Sequence, residues 1–93
     1  MNCKRAKVLV RGRVQGVFFR ESTKTLAAAN GVSGWIRNLQ DGRVEALLEG
    51  SEEQIQRVIL FMKTGPEQAR VDDLEVTFED YSGEFDDFIV LRR

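Results

Sequence analysis

Histidine is absent from this chain, and cysteine, proline, tryptophan and tyrosine each occur once. Without an imidazole and with a single thiol, any transition-metal site would have to rely on carboxylates, so zinc is set aside and no metal or other cofactor is expected. Cys3 alone rules out an intrachain disulfide, which suits a reducing compartment, and it reads as an ordinary residue near the terminus. Nor is there a surplus of charge. Fourteen Lys and Arg against 15 Asp and Glu leave a formal charge of −1. That balance gives no footprint for nucleic acid and no polybasic arm for a membrane. Long apolar runs are also lacking, so nothing reads as a bilayer span. The Met1–Arg5 start is basic, but Arg11 interrupts the following apolar run too early for a signal peptide. The expected address is the cytoplasm, and a monomer is the default expectation.

Ninety-three residues suffice for one domain with a modest core, and 42% apolar with 31% charged residues marks a globular chain. A first strand spans about Lys4–Gly12, with Ala6, Val8 and Val10 on one face and Lys7, Leu9 and Arg11 on the other. A helix is predicted over Glu21–Asn30, closed by Asn30-Gly31, with Leu26 and Ala27 inward alongside Thr23 and Asn30. Its three consecutive alanines suggest close approach to a sheet. A second strand runs over about Val32–Leu39 and folds back through Asp41-Gly42 into a third, Arg43–Glu49. In the third, Val44, Ala46 and Leu48 point inward, and Arg43, Glu45 and Glu49 outward. Ser51-Glu52-Glu53-Gln54 is a capping box, and Ile55, Val58, Ile59 and Met62 lie at the spacing of one helical face. Thr64-Gly65-Pro66 stops that helix. A fourth strand covers Arg70–Glu79, Tyr81–Glu84 reads as a turn, Phe88–Leu91 as a short last strand, and Arg92-Arg93 as a solvated end. The order βαββαβ plus a short C-terminal strand makes a two-layer α+β sandwich of the ferredoxin-like kind. Its sheet is expected to be antiparallel, with both helices on one face and the order four-one-three-two. Local pattern does not say which edge the last strand extends.

The most pointed stretch is Gly12-Arg13-Val14-Gln15-Gly16-Val17-Phe18-Phe19-Arg20, a glycine-punctuated turn from strand to helix that ends in a cation. Backbone N–H groups gathered at such a turn attract an anion. Arg20 at a helix start opposes the macrodipole, a conflict that a bound anion would resolve. The stretch is neither a Walker A loop nor a dinucleotide fingerprint. Spacing alone fits an ordinary connection equally well, with Gly12 and Gly16 supplying positive φ and Arg20 solvated. Asn38, at the end of the second strand, is brought by topology towards the same rim, though a turn-favouring role explains it as readily. Trp35 sits on the outer sheet face, as a partner surface or simply covered by Arg37 and the tail. The adjacent acids Glu52-Glu53, Asp72-Asp73 and Asp86-Asp87 fit capping and solubility better than a glycosidase pair or metal cage.

Taken together, the Gly12–Arg20 stretch, Gly34-Trp35-Ile36-Arg37-Asn38, Asp41-Gly42-Arg43-Val44, Gly65-Pro66 and Ala69-Arg70-Val71 closely resemble the acylphosphatase family, and the likeness covers essentially the whole chain. The resemblance implies a single acylphosphatase-like domain over 1–93, with sheet order four-one-three-two-five. It implies hydrolysis of carboxylic–phosphoric anhydrides to a carboxylate and inorganic phosphate. By that resemblance Arg20 binds the phosphoryl group, the backbone amides of Gln15, Gly16, Val17, Phe18, Phe19 and Arg20 cradle it, and Asn38 orients the attacking water. Inorganic phosphate or sulfate is then an expected site ligand. Leu39 stands where some relatives carry a hydroxyl residue, and the Val90-Leu91-Arg92-Arg93 ending is not the commonest form; neither change removes a catalytic group.

The chemistry agrees with the inventory. An acyl phosphate expels a carboxylate, whose conjugate acid has a pKa of about 4, so it leaves without a general acid. A site without histidine suits such anhydrides and suits phosphate monoesters poorly. Two other readings stand beside it. A non-catalytic module would use the same cradle to recognise a phosphorylated metabolite. An RNA-recognition module shares the fold but needs aromatics on the central strands and basic surroundings, which are lacking.

Overall fold

The computed structural model describes residues 3–92; Met1, Asn2 and Arg93, the last of these expected in a solvated end, lie outside the described residues. The chain forms β1 (Cys3–Arg13), α1 (Phe19–Ala29), β2 (Ser33–Asn38), β3 (Val44–Ser51), α2 (Glu52–Met62), β4 (Arg70–Glu79) and β5 (Phe88–Leu91). The five strands make one sheet in the order β4-β1-β3-β2-β5. Both helices pack on one face over a core that includes Val8, Val10, Phe19, Ile36, Leu48, Ile55, Val58 and Met62. Alternation placed the β1 core residues correctly, and the predicted stripe of α2 is buried throughout. This is the ferredoxin-like sandwich expected. Its first four strands are antiparallel, whereas β5 lies parallel to β2. The reason is a reversal: the chain turns back after β4 and crosses to the far edge, so β5 runs against β4 and hence along β2. Among the described residues no helix is long and apolar enough to cross a membrane.

Local chemistry explains most element ends. Ser51 accepts from the Gln54 backbone N–H, and the Gln54 side chain accepts from that of Ser51, closing the capping box at the start of α2. β3 runs on to Ser51 itself, so strand and helix abut at the cap. A register shift between Arg11 and Gly12 marks a bulge where β1 meets β4. Gly12 sits there at φ 134°, and a Cβ would fall 2.1 Å from the Arg70 carbonyl oxygen. Only glycine fits such a close approach. α1 begins two residues earlier than its helix formers predict, because Phe18 takes a left-handed conformation and turns the chain directly into Phe19.

The outer sheet face departs from expectation. Glu45 and Glu49 do point away from the helices, yet both are buried. Glu45 lies against the Arg37 guanidinium at 2.7 Å, with Lys7 at 3.9 Å. Glu49 is covered by the crossing between β4 and β5. Its carboxylate accepts from the Ser82 N–H at 3.0 Å, the Ser82 hydroxyl at 3.0 Å and the Gly83 N–H at 3.1 Å, and Arg5 Nε lies 3.0 Å away. Phe85 stacks on the Arg5 guanidinium at 5.5 Å. Trp35 is likewise half-covered, with Arg37 5.2 Å over its ring.

Burial pushes the Glu49 carboxyl upward, but the donors of Ser82 and Gly83 and the Arg5 charge outweigh it and hold its pKa below the ordinary 4.5. A depressed carboxyl contributes stability that is present above the ordinary value and lost as pH falls through the folded one. Glu49→Gln should therefore cost about 2 kcal/mol at pH 7, or roughly 10 °C in Tm. The gap to the unmutated protein should close as thermal melts are repeated at increasingly acid pH below about 4.

Candidate active site

Between β1 and α1 the chain makes no backbone hydrogen bond through the amides of Gly16, Val17 or Phe18 among the described residues. Phe18, at the N-cap, offers no side-chain acceptor, so the first N–H groups of α1 are uncapped as well. The result is a run of free donors at a helix start. Phe18 is the only non-glycine residue with positive φ among those described, at φ 63° and ψ 21°. For a bulky side chain that conformation costs on the order of 1–2 kcal/mol. The packing around it supplies the compensation. Val17 and Phe19 on either side are buried in the core, and the Phe19 ring lies where a Cβ on Gly65 would be only 2.8 Å away.

These residues wall a cavity of about 290 Å³, lined by Val14, Gly16, Phe18, Phe19, Arg20, Glu21 and Arg92. A neighbouring cavity of about 300 Å³ is lined by Arg20, Asn38, Leu91 and Arg92. Thus Arg20 and Asn38, far apart in sequence, share one hollow. Arg20 is half-buried, and its side chain has no carboxylate partner or hydrogen bond within the described residues. A guanidinium in that state is available to an anion. The Asn38 Oδ1 is buried and likewise has no partner. A buried acceptor left unpaired costs about 1–3 kcal/mol, so it is poised for a donor from outside the fold.

Of the sequence-predicted site residues, Gly16, Phe18, Phe19 and Arg20 meet at the first cavity, and Asn38 joins Arg20 at the second. Gln15 and Val17 line neither: the Val17 side chain belongs to the core, and that of Gln15 turns to the β2–β3 hairpin. Gln15 Nε2 donates to the Leu39 carbonyl at 2.8 Å and to the Arg43 carbonyl at 2.9 Å. The same carbonyls close the turn, accepting from the Gly42 and Leu39 N–H groups. Gln15 thereby fixes the loop leading to Arg20 against the hairpin bearing Asn38. Arg92 is the residue that local pattern missed. It is solvent-exposed, as a solvated end should be, yet it also borders both cavities and pairs with Glu21 in the first turn of α1. The parallel register of Arg37 with Leu91 explains its place, since the next residue falls beside Asn38. The available signal was the implied sheet order, which sets the last strand next to the second.

The acylphosphatase family model matches residues 6–90. The chain belongs to the acylphosphatase family. An acylphosphatase of Pyrobaculum arsenaticum is 53% identical over 92 residues, covering 98% of this chain and 97% of that one. One from Syntrophus aciditrophicus is 49% identical over 95% of this chain and 92% of its own. The crystal structure of acylphosphatase from Bacillus subtilis superposes with a TM-score of 0.92 at 34% identity, spanning 96% of this chain and 99% of that chain. Likeness at this level over whole chains marks an acylphosphatase hydrolase.

The clasp makes its own prediction. Gln15→Glu replaces two N–H donors by oxygens that face two carbonyls, so it should destabilise more than Gln15→Ala, by about 1–3 kcal/mol. Urea unfolding of the two variants at neutral pH measures the difference.

Proposed function

We propose that residues 1–93, acting as a cytoplasmic monomer, hydrolyse the carboxyl–phosphate bond of a small acyl phosphate without a metal. The observation that carries the reading is the cavity bordered at once by an unpaired Arg20 guanidinium and the unpaired, buried Asn38 Oδ1. Arg20 and the loop amides from Gln15 to Arg20 hold the phosphoryl oxygens. Negative charge spread over those oxygens in a loose transition state is neutralised by donors already in position. Asn38 cannot take a proton at neutral pH. Its Oδ1 accepts a hydrogen bond from the water and aims the water oxygen at phosphorus.

The water oxygen bonds to phosphorus as the bridging P–O bond breaks, and the carboxylate departs with that bonding pair. A phosphate oxygen takes the water's proton, so no side chain has to change protonation state. This assignment fits a site without histidine. A leaving group with a conjugate acid near pKa 4 needs neither a general acid nor a Lewis acid. The half-buried single thiol, Cys3, suits a reducing cytoplasm. Inorganic phosphate, as product, is expected to occupy the cradle.

Removing a charged oxyanion donor costs about 3 kcal/mol or more, so Arg20→Ala should lower kcat/KM for an acyl phosphate at least about a hundredfold with the fold intact by circular dichroism. Asn38→Ala should act mainly on kcat; wild-type turnover in that variant would remove its water-orienting role. Inorganic phosphate should compete with substrate and raise Tm, and Arg20→Ala should abolish both effects. A chelator should leave the rate unchanged, and strong inhibition by it would count against metal-free hydrolysis.

A further inference from the structure

Two adjacent phenylalanines behave oppositely. Phe19 is 1% exposed within the core, whereas Phe18 is 73% exposed. Phe18 also holds the left-handed backbone at the helix start, a bend that Asn or Gly would adopt without strain. So neither the core nor the bend asks for a ring here. Exposure alone is ordinary, but a ring held on a strained backbone at the mouth of a hollow points to contact with what enters it.

The ring borders the same cavity as Gly16 and Arg20. At about 30 Å³ per water, the 290 Å³ of that cavity exceeds what the five heavy atoms of a phosphate fill. Phe18 and Arg92 both belong to its lining. Arg92 is paired there with Glu21, so its charge is matched before any substrate arrives.

We propose that Phe18 is the specificity-determining residue of the site, an apolar platform for the acyl portion of the substrate that favours aryl and extended apolar acyl groups over acetyl. The inference rests on the hydrolytic reading above and adds the class of acyl group to it. A planar acyl group stacks on the ring in the offset or edge-on manner of aromatic pairs, while acetyl offers the ring only a methyl.

The test measures kcat/KM for benzoyl phosphate and acetyl phosphate, with the Ki of inorganic phosphate, in the unmutated protein and in Phe18→Asn, Phe18→Gly and Phe18→Tyr. Asn and Gly keep the bend and lose the ring; Tyr keeps both. The benzoyl-to-acetyl ratio should fall about tenfold in the ring-free variants, chiefly through KM for benzoyl phosphate, and return in Phe18→Tyr. The phosphate Ki should move less than the ratio. A ratio within about twofold of the unmutated one in both ring-free variants, or an equal fall for the two anhydrides, overturns the platform. An unmutated protein inert towards both substrates sinks the hydrolytic reading and the platform with it; an active one with an indifferent ratio sinks the platform alone.

Discussion

One side-chain amide holds the two halves of the site in register. Gln15 spends both of its N–H donors on the Leu39 and Arg43 carbonyls, which are also the carbonyls that close the β2–β3 turn. Its backbone belongs to the loop that leads to Arg20, and the turn it grips follows directly on Asn38. A hydrogen-bonded fork of this kind constrains distance and angle together. Catalysis by positioning is sensitive to displacements of about 1 Å, and the clasp constrains how the Arg20 guanidinium and the Asn38 Oδ1 face one another.

Around that clasp the molecule leaves a few groups unpaired where most are satisfied. Ser51 and Gln54 cap α2 in both directions, yet α1 starts from a phenylalanine that caps nothing. Glu45 and Glu49 are each matched by arginine, yet Arg20 is not. The unsatisfied donors and the unsatisfied acceptor converge on one rim. A folded chain tolerates such costs where a ligand or substrate repays them. On the opposite face the network of Arg5, Glu49, Ser82 and Gly83 ties down the crossing from β4 to β5. By fixing that crossing it fixes β5 beside β2, and so brings Leu91 and Arg92 to the rim of the site.

Most of the fold was legible from local pattern. β4 spans the predicted residues, and the α2 stripe and its capping box are as read, because period and cap chemistry are short-range properties of a chain. The start of α1 was misplaced because helix propensity does not register a strained left-handed Phe18. Glu45 and Glu49 were assigned to the correct face but not to the interior, since alternation reports side and says nothing of what passes over it. Arg20 and Asn38 were legible through the motif that carries them; their common cavity was a matter of topology.

The sequence by itself determined the alternation of the strands, the helix faces, the glycines at the bends and the kind of chemistry open to a chain without histidine. These depend on neighbours within a turn or a few residues, which the order of residues specifies directly. Only the tertiary structure decided that Gln15 would grip Leu39 and Arg43, that Ser82 would cover Glu49, and that Arg92 would stand beside Asn38. Each of those pairs is separated by 24 or more residues in the chain. They are brought together by sheet order and by the reversed crossing into β5. No local periodicity encodes which edge of a sheet a strand will choose; that choice is fixed by the packing of the whole.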